Sequence, residues 1–165
     1  MSVTLVQLND VDRQGFVEAI GWVFEDSPWV AAQAWTQRPF DSVAALHAGM
    51  VAVVAAAGRE AQLLLLRAHP DLGTRARMSD ASAGEQAGAG LDQLTPEEFE
   101  RLHELNHDYR ETFGFPFLFA VKGATQHDIL AALERRRHAT RDEEFAEALR
   151  QVGRIARFRL ESLLS

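Results

Sequence analysis

His69 in the run HPDLG and Glu85 in the run SAGEQ are an imidazole and a carboxylate set where the chain changes character, and together they can act as an acid/base couple. Pro70 pushes the residue before it out of helical geometry, so His69 stands where a Leu-rich helix ends and faces a cleft or the surface. Imidazole titrates closest to neutrality, which suits it to moving protons; a histidine at a helix C-terminus is also favoured by the dipole alone. Ser82, Glu85 and Gln86 stand at i, i+3 and i+4, so one helical turn directs all three the same way, among the small residues Ala83, Ala87, Gly88, Ala89 and Gly90. Two uses fit that turn: a polar ligand-binding face, or a surface turn capped by Ser82 with Glu85 closing a capping box.

Arg159 is the third residue of interest. It falls on the stripe Phe145, Leu149, Val152, Ala156, Arg159 and Leu163, so a guanidinium lies in an apolar seam and needs an anion, either a protein carboxylate or a bound substrate. Arg150, Arg154, Arg157 and Glu161 follow the opposite, solvated rhythm. The run His103-Glu104-Leu105-Asn106-His107 matches the zinc-protease pattern H-E-x-x-H. The apolar stripe of its helix is Phe99, Leu102, Asn106, Tyr109 and Phe113, which leaves both histidines on the solvated side, and no third-ligand pattern follows downstream. No metal site is therefore expected. Phosphate-cradling glycine patterns and the G-x-S-x-G elbow are missing as well, and Lys122 reads as a surface lysine rather than a Schiff-base former.

These residues need elements to hold them. Apolar spacing predicts helices almost throughout: one through Phe16, Ile20, Val23 and Phe24 after the capping candidates Asn9 and Asp10, a short one from Pro28, and one from Asp41 or Ser42 to Ala57, stopped at Gly58. Arg59 to Arg67 is the next. Ala68 to Leu94 turns to Gly, Ala, Ser and Asp, with one short helix around Ser82 to Ala89, and is the expected functional loop. Thr95-Pro96-Glu97-Glu98 is a helix start that runs to about Phe113. FPFLFAVK, Phe115 to Lys122, reads as an extended apolar segment bracketed by Gly114 and Gly123. Thr125 and Thr140 cap two last helices, the second from Asp142 to about Leu164. The fold class is all-α: a single compact bundle of about eight helices with one short extended segment, residues 1–165 forming one domain.

Composition narrows the partners. At 165 residues and 47% hydrophobic content the chain can bury a continuous core without disulfides. Twenty-four acidic against 17 basic residues give a net charge of -7, which argues against nucleic acid and anionic membranes. There is no cysteine, so thiolate chemistry is excluded. The opening MSVTLVQLND has no secretory pattern and no run reaches the ~18 apolar residues of a span, so a cytoplasmic protein is expected by elimination.

Four blocks in order, HPDLG at His69–Gly73, SAGEQAGAGLDQL at Ser82–Leu94, LNHDYRETFGFPFLFAVKG at Leu105–Gly123 and IARFRL at Ile155–Leu160, resemble the OHCU decarboxylase family, named for 2-oxo-4-hydroxy-4-carboxy-5-ureidoimidazoline. The resemblance implies an all-helical homodimer that needs neither metal nor organic cofactor and releases (S)-allantoin and carbon dioxide in urate degradation. It puts the family's catalytic histidine on His69 and its acidic partner on Glu85. Substrate contacts fall on Ser82, Gln86 and Arg159, with Pro70 and the backbone near Phe117 and Leu118 lining the pocket. The stretch between His69 and Ser82 is shorter than in many members. A helical protein that binds a small anionic heterocycle without turnover would use the same Arg159 and Gln86.

Overall fold

The computed structural model describes residues 3–74 and 78–164; residues 75–77 of the expected functional loop lie outside them. Among the described residues there are nine α-helices and no strand. The chain divides into two compact units, residues 1–68 with 153–165 and residues 69–152.

In the first unit, α1 (Leu5–Asp10) is closed by a capping box of Thr4 and Gln7, and α2 (Arg13–Ile20) is capped by Asp12, whose carboxylate accepts from Gly15 N–H at 2.8 Å. Asn9 and Asp10 are thus not the caps. Asn9 instead pairs with Phe40 in both directions, donating to its carbonyl at 2.9 Å and accepting from its N–H at 2.8 Å. Helix α3 (Trp29–Ala34) follows Pro28, and α4 (Val43–Ala56) is capped by Ser42 rather than Asp41. At Gly58 φ is +87°, a value that favours glycine, and α5 (Arg59–Arg67) starts at once in a new direction. No single helix among the described residues is long and apolar enough to cross a membrane.

In the second unit, α6 (Asp80–Gly88) is capped by Ser79, which accepts from Ser82 N–H at 3.1 Å. Thr95, Pro96 and Glu98 build the start of α7 (Pro96–Phe113) as their spacing predicts, and the Thr95 bonds hold the Glu98 carboxyl below its usual range. Gly114, at φ +83°, ends it. Residues 115–121 then run without helix or strand through an aromatic cluster, with the Tyr109 ring 4.5 Å from Phe113 and 5.4 Å from Phe117. Thr125 caps α8 (Gln126–Arg136) with Asp128 in a box, and Thr140 accepts from Glu143 N–H at the start of α9 (Arg141–Leu164). That last helix contributes its first half to this unit and its second half to the other.

Candidate active site

Helix α5 ends at Arg67 because Pro70 denies helical geometry to His69, which is left 5% exposed at the head of the HPDLG turn. The next residues are pinned one by one. Arg110 donates to the Asp71 carboxylate at 2.7 Å, Asn106 donates to the Leu72 carbonyl at 2.8 Å, and Gly73 N–H donates to Gln86 Oε1 at 2.8 Å. Arg110 and Asn106 sit one turn apart on α7, so a single helix edge grips two successive residues while α6 grips the third. Gln86 directly follows Glu85. The buried bond from Gly73 therefore ties the histidine's turn to the helix end that carries the carboxylate.

Gly73 is the one position in this turn that tolerates no side chain. Its φ is +76°, and a Cβ there would lie 2.4 Å from Leu102 Cδ2 on α7. Gly73→Ala should cost about 2–4 kcal/mol from left-handed strain and overpacking together. A urea midpoint equal to that of the unsubstituted chain would show that the turn is not built this way.

On α6, Ser82 and Gln86 are buried and Glu85 is half-buried, while Ala83, Gly84, Ala87 and Gly88 are exposed. Ser79 is the cap, so the surface-turn reading of Ser82 does not hold; Ser82 lies one turn inside, on the face turned inward. Gln86 spends its carbonyl oxygen on Gly73, so what it can offer a ligand is its Nε2 donor end. A cleft of about 250 Å³ opens between the turn and α7, with Leu72, Phe99 and Leu102 as apolar walls and Asp71, His103 and Asn106 as polar ones.

His103 and His107 are both exposed, and among the described residues no three His, Cys, Asp or Glu side chains are grouped to hold a metal ion. His103 lies parallel to the Phe99 ring, centroids 6.3 Å apart.

Phe117 and Leu118 are buried in the strand-free stretch, whose backbone is met by side chains. Arg136 donates to the Leu118 carbonyl at 2.7 Å, and Ala120 N–H donates to Gln151 Oε1 at 2.9 Å. Arg136 also pairs with Glu144, Nη2 to Oε1 2.8 Å, and its guanidinium lies 4.6 Å from the centre of the Phe117 ring. The Tyr109 hydroxyl donates to the same Glu144 oxygen at 2.5 Å. Burial, then that carboxylate, push the Tyr109 phenol far above its ordinary range.

Arg159 belongs to the first unit, 4% exposed as its stripe position predicts. The anion it meets is a protein carboxylate: Nη2 lies 3.0 Å from Glu25 Oε2, and Nη1 donates to the Trp22 carbonyl at 3.2 Å. Sequence reasoning missed Glu25, Arg136 and Glu144. Arg136 follows Ile129 and Leu133 on the buried face of α8, and Glu144 precedes Ala148 and Gln151 on that of α9, so the argument that isolated Arg159 would have found both.

Nine helices and no strand among the described residues define the class: an all-helical fold, not a nucleotide-binding α/β one. Residues 9–161 match the family model described as OHCU decarboxylase. The chain belongs to the OHCU decarboxylase family. It is 49% identical over 163 residues to the 2-oxo-4-hydroxy-4-carboxy-5-ureidoimidazoline decarboxylase of Haloferax volcanii, covering 99% of this chain and 97% of that protein. To the protein of the same name from Halalkalicoccus jeotgali it is 47% identical over 161 residues, 98% of this chain and 92% of the other. The crystal structure of an (S)-allantoin synthase aligns with TM-score 0.82 at 34% identity, covering 99% of this chain and 54% of that one, so this chain spans about half its length.

Proposed function

We propose that the protein decarboxylates 2-oxo-4-hydroxy-4-carboxy-5-ureidoimidazoline to (S)-allantoin, with His69 and Glu85 as its acid/base pair. The observation that carries the assignment of roles is the buried bond from Gly73 to Gln86, which joins the histidine's turn to the carboxylate's helix.

The chemistry asks little of a cofactor. When the C–C bond to the carboxylate breaks and carbon dioxide leaves, the electron pair passes through the adjacent C=N bond onto the ring nitrogen, which takes up a proton and leaves an enol; the enol hydroxyl then gives up its proton to become the carbonyl as one proton adds to carbon. The protein must hold the leaving carboxylate out of conjugation, stabilise the delocalised anion and deliver that proton to one face. His69 handles the hydroxyl proton or the carbon-bound proton, and Glu85 orients the ring. Ser82 and the Nε2 end of Gln86 hydrogen-bond the ureido group, and Pro70 and the Phe117–Leu118 backbone shape the wall. The working form is a homodimer, as the family resemblance implies, and its place is the cytoplasm.

A circular-dichroism time course on freshly generated substrate tests this. With the protein present, optical activity should grow faster than spontaneous decay allows and end at one enantiomer. A slower decay with no optical activity would leave a binding protein and no decarboxylase.

A further inference from the structure

Residues 115–118, 120 and 121 are buried and Phe119 is half-buried, with no strand beside them among the described residues, so buried backbone groups of this stretch take side chains as partners. The Leu118 carbonyl is met by Arg136, itself 7% exposed and held from behind by Glu144, which in turn accepts from Tyr109. Three helices thus converge on one peptide: α7 through Tyr109, α8 through Arg136 and α9 through Glu144. A buried ion pair of this kind adds little net stability, because desolvating the two charges offsets most of their attraction. What it does supply is direction. The peptide unit is planar and trans, so a Leu118 carbonyl turned to Arg136 fixes the following Phe119 N–H to point the opposite way.

We propose that Arg136, braced by Glu144 and Tyr109, is a positioning residue for the decarboxylation, fixing the Leu118–Phe119 peptide against which the substrate is oriented. This rests on the proposed reading that the backbone near Phe117 and Leu118 lines the pocket. Arginine is required because its planar fork reaches Glu144 and the Leu118 carbonyl at once while its central carbon sits over the Phe117 ring; a lysine ammonium keeps the charge but has no such fork.

Arg136→Lys is the test, read by kcat/KM and by the enantiomeric excess of allantoin at enzyme concentrations where spontaneous decay is negligible. The folded variant, checked by a cooperative melt, should lose about tenfold or more in kcat/KM and yield a product of lower enantiomeric excess. Loss of a purely structural contact would leave the enantiomeric excess of a folded enzyme unchanged, and that result, or an unaltered kcat/KM, overturns the proposal. Should the lysine variant fail to fold, Tyr109→Phe keeps the aromatic packing and removes one brace from Glu144. It should lower both readouts in the same direction, and wild-type values for both would sink the idea. His69→Asn is run alongside: an active His69→Asn variant defeats the pocket reading itself, whereas an inactive one beside an unimpaired Arg136→Lys defeats only the positioning role.

Discussion

His69→Ala leaves a folded protein that turns over its substrate about 100-fold or more slowly than the unsubstituted enzyme, the usual range for a lost general acid or base. The fold should survive because Asp71, Leu72 and Gly73 remain gripped by Arg110, Asn106 and Gln86. Glu85→Gln is the companion variant, since it keeps the size and hydrogen-bonding reach of the side chain while removing its charge. If Glu85 acts only through the ring of His69, the two substitutions interfere, and the double variant is no slower than the worse single one. The measurement is the initial rate of optical-activity growth at saturating substrate, with far-ultraviolet dichroism confirming helix content. A His69→Ala rate within threefold of wild type would remove the imidazole from the mechanism.

The parts of this molecule that were legible in its sequence are those set by neighbours within one or two turns. The start of α7 is an example: Thr95, Pro96 and Glu98 contain their own cap, their own fixed φ and their own return bond, and the helix begins where they say. The start of α2 is the counterexample. Asn9 has the chemistry of a cap but is taken by Phe40, 31 residues away, and Asp12 caps in its place. The same competition decided α6, where two serines stand three apart and the first is the cap, so that Ser82 lies on the inward face. The candidate residues divide along the same line. His69 stood out through Pro70, and Arg159 through its place on an apolar stripe. The clamps of the turn were not, because each joins residues 13 or more apart in the chain. The division into two compact units was invisible for a related reason: one boundary falls between Ala68 and His69 and the other inside α9, whose amphipathic pattern runs through it unbroken.

The largest stability effect should come from the other buried guanidinium. Arg159 and Glu25 are 4% and 3% exposed and 3.0 Å apart, so Arg159→Met takes the guanidinium away from a buried carboxylate, a loss of about 3–5 kcal/mol measured as a drop in the urea midpoint. Replacing both partners, Arg159→Met with Glu25→Leu, removes that carboxylate as well and should return most of that stability, because a well-packed apolar pair replaces an ion pair at little net cost. The double variant then separates two roles that a single substitution confounds. If the guanidinium also holds the anionic group of the substrate, the restabilised protein still shows a raised KM, since no apolar side chain can stand in for a bidentate donor. Recovery of stability together with wild-type KM would assign Arg159 to the core alone. A double variant no more stable than Arg159→Met would mean that the pair's worth lies in the Trp22 carbonyl bond and not in Glu25.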